Sequence, residues 1–165
     1  MESHRPIYRT GIGQGSHRFL PTDSSKPCIV GGIIFDDVPG LDSDSDGDVV
    51  FYAMCNAITS LSGVPILNGI VRDLIRKDGI TDSAVYLEKA LASLKPQQIV
   101  HVSITIEGKR PHFEEKIDAM RDRIAHILGL HRKRVGITVM SGDGLTDFGC
   151  GDGLQCFALL TTIEH

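Results

Sequence analysis

The chain has 165 residues, 41% of them apolar and 23% charged, which is enough to bury a core without disulfide staples. This balance excludes a disordered chain, a collagen-like repeat and a disulfide-rich toxin. A formal net charge of −4 argues against DNA binding through overall charge, and 5% aromatics without tryptophan argue against a base-stacking platform.

The length predicts one domain over 1–165, with residues 1–6 as a flexible polar tail. No apolar stretch follows Met1 as in a signal peptide, and no run approaches the ~20 residues a membrane span needs, so a cytoplasmic protein without nucleic-acid or membrane partners is expected. Cys28, Cys55, Cys150 and Cys156 form no Cys-x-x-Cys pair and read as reduced, small hydrophobes.

Tyr8 to Gly15 reads as a Gly-rich strand and Cys28 to Phe35 as a second strand, followed by an acidic loop from Asp36 to Asp48. Ser45 and Asp48 have capping-box spacing, so a helix is expected from near Ser45. Val50, Ala53, Met54, Ala57, Ile58 and Leu61 carry its apolar face, and Gly63 and Pro65 end it. A short helix fits Ile66 to Lys77. Asp82 and Ser83 cap another, with Leu87, Leu91 and Leu94 on one face and Pro96 as its stop.

Gln98 to Ile106 alternates as a half-buried strand. Pro111 suits the first turn of a helix, with Phe113, Ile117, Met120, Ile124 and Leu128 as its stripe and Gly129 just past its end. Val135, Ile137 and Val139 alternate again, Gly142 to Gly153 is a Gly/Asp-rich loop, and Leu154 to Ile163 is a final strand. The order strand, strand, helices, strand, helix, strand, strand predicts a two-layer α+β domain with helices on one face of a mixed sheet.

Several segments suggest chemistry. Asp42, Asp44, Asp46, Gly47 and Asp48 open like an EF-hand, but the twelfth position is Ala53 where a bidentate Glu is needed, so a solvated acidic loop is the plainer reading. Gly11-Ile12-Gly13-Gln14-Gly15 lacks G-x-G-x-x-G spacing and precedes no helix, which removes a dinucleotide site. Lys109 and Arg110 fall at the expected helix start before Pro111, where free amides attract anions. In Ser141-Gly142-Asp143-Gly144, glycines let a backbone approach a ligand and Asp143 has the chemistry to hold a cation, but turn formation explains these residues equally well. The run His131-Arg132-Lys133-Arg134 reads as a solvated turn.

Taken in order, Arg9 to Phe19, Gly31-Gly32, Gly40-Leu41, Ser45-Asp46-Gly47-Asp48-Val49, Thr81-Asp82-Ser83, Met120-Arg121 and Gly142 to Gly153 resemble the 2-C-methyl-D-erythritol 2,4-cyclodiphosphate synthase family. The resemblance runs from Arg9 over nearly the whole chain. It implies a homotrimer with sites between subunits and a phosphorus–oxygen lyase of non-mevalonate isoprenoid synthesis. Such an enzyme cyclises 4-diphosphocytidyl-2-C-methyl-D-erythritol 2-phosphate and releases CMP. It further implies zinc and a magnesium or manganese ion as cofactors.

Matched position by position, the zinc ligands fall on Gly15, His17 and Tyr52, of which only His17 is a usual zinc donor. Asp44 stands where the family usually has a His, Ser141 where it has a transition-state Thr, Asp143 where it has a Glu near magnesium, and Cys150 where a basic residue is frequent. The resemblance therefore implies catalytic roles for Asp44 and Ser141. It implies substrate contacts at His17, Asp44, Ser45, Lys109, Ser141, Gly142 and Asp143. A second reading is a family member that binds nucleotide or isoprenoid diphosphate without turnover.

Overall fold

A computed structural model describes residues 5–165. Most of the tail expected over 1–6 therefore lies outside the described residues. The main sheet has four strands: β1 (Ile7–Arg18), β4 (Gln98–Glu107), β5 (Val135–Met140) and β6 (Gly153–Glu164), in the order β1-β6-β4-β5. β6 pairs antiparallel with both β1 and β4, whereas β4 and β5 are parallel and joined by the crossover helix α4 (Ile117–Leu128). The sheet is therefore mixed, and the α+β expectation holds.

One face of this sheet is buried. Val102, Ile104 and Ile106 of β4 and Leu154, Cys156, Ala158 and Leu160 of β6 point into the core. Between them on the other face lie Ser103, Thr105, Phe157 and Leu159, all exposed. The period of two read from the sequence is the period of burial.

Helix α1 (Val49–Ser62) lies across β1. Gly11, Gly13 and Gly15 alternate along β1, and a Cβ on any of them would press into the helix backbone: Gly11 into Ala57 O at 2.6 Å, Gly13 into Ala53 O, Gly15 into Val49 O at 2.5 Å. These glycines are thus a packing groove for a helix, not a ligand cradle.

α1 starts later than the sequence suggests. Its N-cap is Asp48, whose carboxylate accepts from the Val50 and Phe51 amides at 3.0 and 3.2 Å. Ser45 instead accepts from the Gly47 amide at 3.1 Å. A carboxylate that meets both first-turn amides outcompetes a hydroxyl three residues earlier. Nor is the acidic loop uniformly solvated: Asp48 is fully buried. Gly63 ends α1 in the left-handed region, at φ 73°.

The expected strand Cys28 to Phe35 is a hairpin, β2 (Cys28–Val30) and β3 (Ile33–Phe35), folded at Gly31 and Gly32 with φ of 59° and 74°. After α1, a π-helical turn (Ile66–Val71) leads into α2 (Arg72–Asp78), and Asp82 caps α3 (Ser83–Leu91) through the Ala84 amide. The helix expected at Pro111 begins later, as a 3₁₀ turn at Glu114–Lys116 and then α4. The preceding backbone is committed elsewhere. The Lys109 amide donates to Phe148 O at 3.0 Å, and the His112 amide donates to Asp37 Oδ2 at 3.2 Å. The loop expected from Gly142 to Gly153 contains a one-turn helix, α5 (Asp147–Cys150), capped by Thr146. Cys28, Cys55 and Cys156 are buried as expected of small hydrophobes, whereas Cys150 is exposed. Among the described residues no single helix is long and apolar enough to cross a membrane.

Candidate functional site

The residues singled out by sequence fall into two groups at the C-terminal end of β1 and around the end of β4. In the first, His17 leaves β1 beside α1. Its ring meets the Tyr52 ring edge-on, with centroids 5.2 Å apart. The Tyr52 hydroxyl donates to Ser45 Oγ at 2.9 Å, and Ser45 is itself buried. Asp44 is exposed and lines, with Tyr52, a cleft of about 390 Å³. Burial holds His17 below its ordinary pKa, with the Lys26 ammonium adding to the effect, and its Nε2 is buried without a hydrogen-bond partner.

Lys26 is a residue that sequence reasoning missed. Its ammonium donates to three backbone carbonyls of the acidic loop, Leu41 and Ser43 at 2.8 Å and Ser45 at 2.6 Å. All three N–H bonds are used, so this cation orders the loop that carries Asp44 and Ser45. A lone lysine between Ser25 and Pro27 gives no sequence signal of such a role. Asp46, part of the acidic loop and of the family-resembling Ser45–Val49 segment, ties the loop to α3 by accepting from the Ser83 amide at 2.9 Å and from the Ser83 hydroxyl.

In the second group, Lys109 and Ser141 line one cleft of about 550 Å³ between the 108–117 segment and β5. Ser141 Oγ donates to Asp143 Oδ1 at 3.0 Å and accepts from the Asp143 amide at 3.3 Å. Gly142, at φ 80°, packs so closely that a Cβ would meet Glu107 Oε1 and the Gly149 Cα at 2.7 Å. Glu107, unremarked in the sequence, accepts from the Thr146 hydroxyl. Arg110 adds a bond from Nε to Gly151 O at 3.0 Å and stacks over Phe19 at 4.6 Å. These contacts seat the 141–153 loop against the end of β4. That is how Lys109 and Ser141 reach one cleft, although no helix begins at Lys109.

The family model that matches the chain is the YgbB family, over residues 8–163. The chain belongs to this family. Curated relatives agree with the match. The 2-C-methyl-D-erythritol 2,4-cyclodiphosphate synthase of Chlamydia felis is 54% identical over 160 residues, covering 96% of this chain and 91% of its own length. That of Chlamydia muridarum is 56% identical over 159 residues, covering 96% and 89%. Among solved structures, IspF of Plasmodium falciparum in complex with CDP is 22% identical, with a TM-score of 0.80 over 94% of this chain and 96% of its own. The bifunctional IspDF of Campylobacter jejuni is 21% identical, with a TM-score of 0.87 over 98% of this chain and 43% of its own. At these identities the solved structures show the YgbB fold itself.

The family resemblance implies a zinc ion. A zinc site takes three or four His, Cys or carboxylate ligands. Here position 15 has no side chain and no room for one, and the Tyr52 hydroxyl is engaged with Ser45. Only the unpartnered His17 Nε2 is a ready donor. Among the described residues no three His, Cys, Asp or Glu side chains gather into a metal-binding group. The donors at Gly15, His17 and Tyr52 do not fit zinc. Magnesium or manganese makes a smaller demand, since such ions bind largely through substrate phosphates and one or two carboxylates. The exposed Asp143 is of that kind.

Proposed function

We propose that the chain converts 4-diphosphocytidyl-2-C-methyl-D-erythritol 2-phosphate to 2-C-methyl-D-erythritol 2,4-cyclodiphosphate and CMP, as a phosphorus–oxygen lyase of isoprenoid precursor synthesis. The observation that carries this reading is 54–56% identity, over 96% of the chain, to relatives that bear the synthase name. A binding-only member gains no support from those names.

The reaction is intramolecular. An oxygen of the 2-phosphate attacks the β-phosphorus, a new P–O bond closes the ring, and the bond from that phosphorus to the bridging oxygen breaks. CMP leaves with that oxygen and its electron pair. No protein nucleophile is needed, so the chain's contribution is position and fixed charge. Ser141 has the hydroxyl to donate to the oxygens of the reacting phosphorus, and Lys109 supplies a cation in the same cleft. Gly142 and Asp143, directly after Ser141, take the left-handed backbone that bends the loop there. Asp143 would hold magnesium or manganese, which when bound neutralises phosphate charge. Asp44 and His17 border the other group, where the erythritol phosphate would lie. No step is assigned to zinc.

The same reading includes a homotrimer. Its support is the uncovered sheet face, where Ile12, Phe157 and Leu159 border a largely apolar cleft of about 400 Å³ and Ile12 is 58% exposed. A site split into two groups on one chain also suits completion by a neighbouring subunit.

Phosphorus NMR of the purified protein with the cytidylyl substrate and Mg²⁺ tests the reaction. CMP and a cyclic diphosphate are expected. Intact substrate, with CMP still bound, would replace this reading with the binding-only one.

A further inference from the structure

The cleft that holds Asp44 and Tyr52 has a second wall, formed by the π-helical turn and α2. Its charged lining is Asp44 on one side and Arg72 and Arg76 on the other. The two arginines are one helical turn apart and therefore project from the same side of α2. Both are exposed. The nearby acid of α2, Asp73, is paired with Lys77 at 3.2 Å, and among the described residues neither arginine has an ion-pair partner. Two guanidinium groups thus face this cleft against one carboxylate.

Cyclisation sets a 2-phosphate against a diphosphate, and that charge must be offset where the groups meet. The donors at Gly15, His17 and Tyr52 do not build a zinc site, and the Lys26 ammonium is saturated by three carbonyls. The positive charge left at this cleft is that of Arg72 and Arg76. Guanidinium also has the planar fork that meets phosphate through paired hydrogen bonds.

We propose that Arg72 and Arg76 hold a phosphate group of the substrate in the Asp44–Tyr52 cleft, supplying there the charge that zinc would otherwise supply. The inference rests on the cyclisation reading for the identity of the substrate, but not for the binding of phosphate. Asn68, in the same wall, offers a further neutral donor.

The test is calorimetric titration of the full-length protein with inorganic pyrophosphate in excess chelator. Binding is expected without any metal, and it should weaken with added salt. Arg76→Gln should weaken it about ten-fold, and the pair Arg72→Gln and Arg76→Gln by more than about thirty-fold. The pair Arg72→Lys and Arg76→Lys should fall between, because charge remains but the fork is lost. Melting temperatures should not move, since both side chains are exposed. The inference is overturned if the glutamine pair binds pyrophosphate like the unaltered chain, if the unaltered chain binds none, or if binding requires zinc and is lost in His17→Ala. Turnover by phosphorus NMR separates the two claims. Turnover insensitive to the arginines sinks this inference alone. Arginine-dependent pyrophosphate binding without any turnover sinks the cyclisation reading alone.

Discussion

Removing the Asp48 carboxylate tests the most connected polar group in the fold. Its two oxygens accept four backbone amides: Val50 and Phe51 at the start of α1, and Gly31 and Gly32 in the β2–β3 turn at 2.9 and 2.7 Å. One side chain therefore caps a helix and pins a hairpin to it. In Asp48→Ala the helix loses its cap, at about 1–2 kcal/mol. Two turn amides lose their acceptors in a buried setting, at about 1–3 kcal/mol each. The total, about 3–8 kcal/mol, is a large share of the ~5–15 kcal/mol that stabilises an ordinary domain. Asp48→Asn keeps an acceptor at Oδ1, which takes three of the four amides, and strands only the Gly32 amide, so it should lose about 1–3 kcal/mol. Urea denaturation followed by far-ultraviolet circular dichroism at pH 7.5 would rank the unaltered chain above the asparagine variant and that above alanine. An alanine variant within about 1 kcal/mol of the unaltered chain would refute the capping-and-pinning account.

Four further outcomes are expected. Burial first, and the neighbouring Asp46 charge second, push the Asp48 carboxyl up to about 7 against an ordinary value of 3.8. The folded state thus holds this proton more tightly than the unfolded one, so the contribution is complete below about pH 4 and is lost as pH rises to about 7. Urea midpoints at pH 5 and 7.5 should show that fall, and Asp48→Asn should flatten it; an equal slope in both chains would contradict the assignment. Gly13→Ala would drive a Cβ into the α1 backbone at Ala53 O and should cost about 2–3 kcal/mol, read by thermal denaturation, and an unmoved melting point would count against the glycine groove. Lys26→Met strands three carbonyls and should cost about 2 kcal/mol, with faster hydrogen exchange confined to residues 41–46; unchanged exchange there would show that the ammonium does not order the loop. The homotrimer proposed above should persist in excess chelator, because the proposed contact surface is the apolar sheet face with Ile12, Phe157 and Leu159; a shift to monomer in sedimentation would disprove that.

The regular elements were legible because they carry their own period. Val102, Ile104 and Ile106 announce β4 by alternation, and Met120, Ile124 and Leu128 announce α4 by helical spacing. What local pattern missed were choices settled by distant partners. Asp48 wins the cap of α1 because Gly31 and Gly32 bring it two further amides. Pro111 starts no helix because Lys109 and His112 give their amides to Phe148 and Asp37. The capping box and the N-terminal proline are sound local rules, here overridden by contacts tens of residues away in sequence.

The candidate site divides along the same line. Ser141, Gly142 and Asp143 stand out as a Gly/Asp turn, and the structure sets that turn beside Lys109. Lys26 and Glu107 stand out in no pattern, since one cation or one carboxylate acquires meaning only from the carbonyls or hydroxyl folded against it. Gly15 is the instructive case. Read against the family, it is a missing carboxylate, and read within the fold, it is the third member of a groove whose Cβ positions are filled by the backbone of α1. Restoring an Asp there would push on Val49, one residue after the Asp48 cap. The close approach of α1 to β1 is thus what a glycine at 15 permits.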